Sequence, residues 1–131
     1  MNEQQPLSGL RILIVEDEFV VAMEMVEEME GLGATVTASV GTLSEAREAA
    51  RTPIDGVLLD VQLGEEKTYE LATDLQAAGT PFILTTGFDT AMLPEPLRAS
   101  PRLSKPFSPV ALKRMATQVF QTQAAAAGSS S

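Results

Sequence analysis

The sequence predicts an α/β domain built on a doubly wound, five-stranded parallel sheet, and three observations carry that prediction. Short apolar runs alternate with helical patterns five times along the chain, as strands joined by right-handed helical crossovers do. The run Val57-Leu58-Leu59 is apolar at every position, not at alternate ones, as a strand covered on both faces must be. Polar residues with chemistry to offer sit where the runs stop: Glu16-Asp17-Glu18, Asp60 and Thr86. Ligands of open α/β sheets gather at that carboxyl edge.

Residues 1–9 read as a flexible lead with no apolar signal core. Leu10 to Val15 is a β-branched run broken only by Arg11, the first strand. Phe19, Ala22, Met23, Val26 and Met29 then recur at helical spacing until Gly31 and Gly33 stop the helix. The acids before Phe19 suit the first turn of that helix dipole. Ala34 to Val40 is a more polar strand, expected near a sheet edge. Thr42-Leu43-Ser44-Glu45 has the pattern of a capping box, opening a short second helix that Pro53 ends.

The central strand, Gly56 to Asp60, is followed by a loop through Glu66. A third helix spans about Thr68 to Ala78, with Leu71, Ala72, Leu75 and Ala78 inward and Gly79 as its C-cap. Pro81 to Gly87 is a fourth strand. Pro94, Pro96 and Pro101 forbid a regular helix over Phe88 to Pro101, where a turn or mobile loop is expected. Arg102-Leu103-Ser104 is a minimal fifth strand, and Ser108-Pro109 caps and begins the last helix, faced by Leu112, Met115, Ala116 and Val119. Residues 10–121 form one domain, and 122–131 read as a low-complexity disordered tail or cloning remnant.

Composition narrows the chemistry. The chain has 131 residues, 44% hydrophobic and 21% charged, enough for one packed core. It has no cysteine and no histidine, so thiolate and imidazole metal sites and histidine acid–base catalysis are excluded. Any metal is bound by oxygen, which favours Mg²⁺. A formal net charge of −9 argues against nucleic acid and anionic membrane as partners, and a cytoplasmic location is expected.

Parallel strands open on one edge, which therefore collects Glu16, Asp17, Asp60, Thr86 and Lys105. Like charges about 4 Å apart cost on the order of 4 kcal/mol at an effective dielectric near 20, so a cation or protons must offset the acids. A metal, a lysine and a hydroxyl around one carboxylate suit phosphoryl transfer, with Asp60 as nucleophile and Lys105 and Thr86 on the phosphoryl oxygens. Singly, each residue has an ordinary explanation: a helix start, a surface lysine, a turn.

Taken together, Leu-Ile-Val-Glu-Asp-Glu, Val-Leu-Leu-Asp, Thr-Thr-Gly and Lys-Pro-Phe resemble the receiver domain of two-component response regulators, over about Leu10 to Gln121. That resemblance implies a flavodoxin-like fold and Asp60 as phospho-acceptor. It implies Mg²⁺ bound by Asp17 and Asp60 directly, by Glu16 through water and by the Gln62 backbone carbonyl. Thr86 becomes the switch hydroxyl and Lys105 the phosphate-binding lysine. The implied partner is a sensor histidine kinase, with a histidine phosphotransfer protein or downstream regulator receiving the signal. Such a domain is no enzyme beyond its own phosphorylation and dephosphorylation. The expectation is a stand-alone receiver; the alternative is a degenerate one that binds protein without phosphorylation.

Three positions depart from the family pattern. Gly64 replaces the usual proline four residues after the acceptor, which implies a looser loop. Arg102 occupies the place of the usual switch aromatic, three residues before the lysine. The proline-broken fourth helix and Leu-Thr-Thr-Gly-Phe resemble the variant receivers with a Phe-Ala-Thr-Gly signature, with Phe88 as a substitute switch aromatic. By the same resemblance, the helix faces carrying Phe19 to Met25 and Pro109 to Met115 are docking surfaces, although most of their apolar residues read as core.

Overall fold

The computed structural model describes residues 5–87 and 92–121. Five parallel strands form the sheet: β1 (Arg11–Val15), β2 (Thr35–Val40), β3 (Gly56–Asp60), β6 (Phe82–Thr86) and β7 (Arg102–Ser104), in the order β2-β1-β3-β6-β7. β2 lies at an edge, as its alternating exposure requires. The helices are α1 (Phe19–Gly31), α2 (Leu43–Ala49), α3 (Tyr69–Ala78) and α4 (Pro109–Ala116), the last continued by a wider π turn over Thr117–Gln121. Between β3 and α3, Gln62–Leu63 (β4) and Glu66–Lys67 (β5) pair antiparallel as a small hairpin where a plain loop was expected.

Alternation along each strand sends neighbouring residues to opposite layers. Ile12, Ile14, Leu58, Ile83 and Leu103 pack with Met25, Met29, Leu112 and Phe120. Leu13, Val57, Leu59 and Leu84 pack on the other side with Ala46, Leu71, Leu75, Leu93 and Leu97. Phe120 packs against β3: a Cβ on Gly56 would come within 2.5 Å of its ring, so only glycine fits there.

Several local signals act as read. Thr42 Oγ1 accepts from the Glu45 N–H at 3.1 Å, Ser108 Oγ accepts from the Ala111 N–H at 3.0 Å, and Gly79 ends α3 in the left-handed region at φ 76°. Others do not. In α1 the buried residues are Ala22, Met25 and Met29, whereas Phe19 is 76% and Met23 47% exposed. The helix begins at Phe19 with no acid in its first turn, because Glu16 and Asp17 precede it. Ala78 is exposed, and Phe120 supplies the core contact beyond Ala116. Within the expected flexible lead, Leu7 is fully buried and its N–H donates to Leu32 O at 2.9 Å.

The segment between β6 and β7 is described from residue 92. Its prolines accompany a 3₁₀ turn at Glu95–Leu97, and the described part is well tied. Leu93 and Leu97 are buried, Gln76 Nε2 donates to Pro96 O at 3.1 Å, and Arg98 Nε donates to Leu93 O at 3.0 Å.

An ion pair joins β1 to the turn before β3. Asp55 accepts from the Arg11 backbone N–H at 2.7 Å and from its guanidinium at 3.0 and 3.3 Å. The guanidinium hydrogen bond holds the Asp55 carboxyl below its ordinary range. A depressed folded pKa gives stability that is full above the unfolded value, near 4, and lost as pH falls through the folded one. Since both partners are partly exposed, Asp55→Asn should cost only about 1 kcal/mol at neutral pH. The difference from wild type should vanish in acid, which urea unfolding of both proteins across that range checks.

Candidate phosphoryl-transfer site

Each strand register sets which side chains meet at the carboxyl edge. Glu16, Asp60 and Lys105 each lie two residues beyond an inward residue of the α1–α4 layer, namely Ile14, Leu58 and Leu103. Alternation therefore returns all three to that face. Asp17 comes from the turn into α1. One carboxylate oxygen from each of Glu16, Asp17 and Asp60 lies within 4.8 Å of the others, with Glu16 and Asp60 buried and Asp17 exposed.

Lys105 is the counter-ion in this cluster. Its Nζ is 2.8 Å from Asp60 Oδ2, 2.9 Å from Glu16 Oε1 and 3.9 Å from Glu18 Oε1. The Lys105–Pro106 peptide is cis. Burial is the largest influence on the Lys105 ammonium and lowers its pKa, but Asp60 and Glu16 together outweigh it and hold the value above that of an ordinary lysine. Glu16 shifts upward, first by burial and then by the charge of Asp60. The Lys105 ammonium and the Glu18 N–H, which donates to Glu16 Oε2 at 3.0 Å, oppose that rise.

The remaining contacts orient the acids. Asp60 Oδ1 accepts from the Gln62 N–H at 3.1 Å, and Thr68 Oγ1 donates to the Asp60 carbonyl at 2.6 Å. Asp17 Oδ2 accepts from the Gly64 N–H at 2.9 Å. Gly64 adopts φ 61°. So the hairpin is fastened to Asp17, and the departure from proline does not loosen it. Proline has neither that N–H nor access to positive φ. Gly64→Pro should therefore cost about 2 kcal/mol or more, through a lost hydrogen bond to a charged acceptor and backbone strain, read by urea denaturation.

An all-oxygen donor set with two buried acids fits a hard cation such as Mg²⁺. Glu16 Oε1 sharpens the fit: it is buried, touches the Lys105 ammonium, and accepts no well-directed hydrogen bond among the described residues. A depression of about 300 Å³ lined by Asp17, Asp60, Gln62, Gly64, Gly87 and Lys105 opens directly over the carboxylates.

No family model and no curated protein matches the chain. Solved structures do. The response regulator PhyR from Brucella abortus is similar over 92% of this chain and 51% of its own, with a TM-score of 0.78 and 27% identity. This chain thus spans about half the length of that protein. The PhyR response regulator REC domain of Erythrobacter litoralis, at 24% identity and a TM-score of 0.74, shares the fold over 85% of this chain and 89% of its own. SdrG from Sphingomonas melonis Fr1 is 36% identical, with a TM-score of 0.70, over 87% of this chain and 98% of its own. The chain belongs to the response regulator receiver family.

In this receiver, Glu16, Asp17, Asp60 and Lys105 converge as the sequence implied. Gln62 adjoins them through its N–H; its side chain bonds Gly64 O and Lys67 instead. Thr86 is buried at the end of β6 and pairs in register with Ser104 of β7. Arg102 lies two residues back on β7, and its guanidinium donates to the Arg98 and Ser100 carbonyls. It fastens the segment before β7, where the family's aromatic would move. Phe88 lies outside the described residues. Sequence reasoning overlooked Thr68, whose hydroxyl role no motif announces. It also passed over Thr85, which the register pairs with Asp60.

Proposed function

We propose that this receiver takes a phosphoryl group from the phosphohistidine of a sensor histidine kinase onto Asp60. The observation that carries the reading is the Lys105 ammonium held 2.8 Å from Asp60 inside a three-acid cluster. An Asp60 carboxylate oxygen attacks phosphorus, the P–N bond breaks, and the departing imidazole nitrogen keeps the electron pair. The product is an aspartyl phosphate. Gln62 N–H and Thr68 hydroxyl orient Asp60, Lys105 neutralises the phosphoryl oxygens, and Thr86 is the nearby hydroxyl expected to respond. Glu16, Asp17 and Asp60, with Gln62 beside them, would hold Mg²⁺, which when bound supplies further neutralisation of the transferring group.

The signal leaves by altered contacts with another protein or by onward transfer to a histidine phosphotransfer protein. The exposed Phe19, Val20 and Met23 on α1 and Val110 on α4 suit such contacts. Among the described residues between β6 and β7, the short 3₁₀ turn at Glu95–Leu97 supports membership of the Phe-Ala-Thr-Gly subgroup. Among the described residues no helix is long and apolar enough to cross a membrane.

A second reading, a binding module independent of phosphorylation, is favoured by Arg102, which is fixed where a mobile aromatic is usual. Incubation with acetyl phosphate and Mg²⁺ separates the two. Intact mass should show one added phosphoryl group on wild type and none on Asp60→Asn. An unmodified wild type, also when challenged with phosphorylated kinase, favours the binding module.

A further inference from the structure

α1 carries more apolar surface than the core takes up. Its buried residues are Ala22, Met25 and Met29, whereas Phe19 and Met23 stay exposed and Val26 is half-buried. Those last three side chains line one wall of a groove of about 460 Å³, and Val40 and Gly41, where β2 ends, line the other. β2 is the edge strand, so among the described residues no further strand closes that side. Contiguous apolar surface left in water marks a contact site, and an exposed methionine adapts its shape to what covers it. The charged residues lining the groove are all acids: Glu16, Asp17 and Glu27. The other flank of α1 differs. There Val21 and Glu24 line a hollow with Lys105, Pro106 and Phe107, and Glu18 and Lys105 run on into the depression over Asp60. A phosphoryl donor must come to that depression, with which the groove beside β2 shares only Asp17.

We infer that the groove between α1 and β2 is a docking site for a basic amphipathic helix of a partner protein, apolar on the face that enters and rich in lysine or arginine at its borders. Laying an amphipathic helix into an apolar groove is a recurrent mode of recognition. The acids select its charge, attracting a cationic border and repelling an anionic one. A second copy of this chain fits poorly, because each copy carries a formal net charge of −9 and acids line the groove itself. The same charge repels an anionic membrane surface. The groove lies off the flank that leads to Lys105, so docking there and phosphoryl transfer can be separated by mutation.

The probe is a fluorescein-labelled model helix with leucine on one face and lysine on the other, titrated with the full chain and followed by anisotropy. Wild type should bind it and should not bind a counterpart with glutamate in place of lysine. Phe19→Ser combined with Met23→Ser should weaken binding about tenfold, as loss of central apolar anchors does. Glu27→Lys should weaken it about fivefold, whereas Glu24→Lys, the same change of net charge on the opposite flank, should alter it by less than about twofold. Amide shift changes on binding should centre on Phe19, Met23 and Gly41. The double variant and Glu27→Lys should gain the same mass as wild type from acetyl phosphate and Mg²⁺, which reads docking apart from transfer to Asp60. Equal losses from Glu27→Lys and Glu24→Lys would reduce the effect to bulk charge and overturn the assignment. So would a wild type that ignores the lysine helix, a double variant that binds it fully, or shift changes centred on Lys105 to Phe107. A wild-type dimer that the double variant abolishes would make a second copy the occupant and overturn it as well. If wild type binds the helix as described but gains no phosphoryl mass, the docking site stands and the phospho-acceptor reading falls.

Discussion

Replacing Asp60 with asparagine should abolish phosphoryl uptake and, without metal, raise the melting temperature. The two effects have one cause. Asp60 is buried beside Glu16, with Asp17 as a third acid, all within 4.8 Å. At an effective dielectric of about 20, a like-charge pair at that separation costs about 3.5 kcal/mol, and the Lys105 contact at 2.8 Å returns about 6 kcal/mol. The exposed Asp17 adds a smaller, screened repulsion, and desolvation of the Asp60 charge adds several kcal/mol more. Asparagine removes the repulsion and the desolvation and still offers Lys105 a carbonyl oxygen. The net gain should be about 1 kcal/mol, or about 3–5 °C. Calorimetric melts in chelator and in Mg²⁺ check this: the variant should melt higher in chelator, and its gain from Mg²⁺ should be smaller than that of wild type.

Lys105→Met should act in the opposite direction. The Lys105 side chain is mostly buried and faces two carboxylates whose own exposure is nearly nil. Methionine keeps the volume and deletes the charge, leaving Glu16 and Asp60 buried together without their cation. Breaking a buried ion pair from one side costs about 3–5 kcal/mol, so the metal-free melting temperature should drop by about 10 °C. Mg²⁺ should recover much of that loss, about 2.7 kcal/mol at a hundredfold excess over its dissociation constant. The variant should nonetheless take up phosphoryl far more slowly, because metal replaces the stability function of Lys105 without replacing its ammonium at the transferring group. A variant as stable as wild type in chelator would show that the lysine is not the counter-ion of the cluster.

Much of this was legible in the residues because apolar runs stop abruptly at acids. Val57-Leu58-Leu59-Asp60 announces both a doubly covered strand and a carboxylate at its end, and β3 has that form. Side-chain phase was less legible. Phe19 to Val26 is apolar nearly all round, so Phe19-Ala22-Met23-Val26 and Ala22-Met25-Met29 fit helical spacing equally well, and packing on β1 selects the second. Leu7 is one apolar residue in a polar lead and has no periodicity to betray its burial. The two-residue strands of the β4–β5 hairpin are shorter than any repeat a pattern can show. The Arg98 and Arg102 bonds run to backbone carbonyls, which carry no sequence mark. Thr85 and Thr86 are chemically identical neighbours that only strand register tells apart.

The most direct test is to locate the phosphoryl group itself. Wild-type protein treated with phosphoryl donor and Mg²⁺ is reduced with borohydride, which converts an aspartyl phosphate to homoserine, and then mapped by peptide mass spectrometry. The account predicts homoserine at position 60 and at no other aspartate. Homoserine at another position, or none in protein that has demonstrably taken up the group, would contradict it.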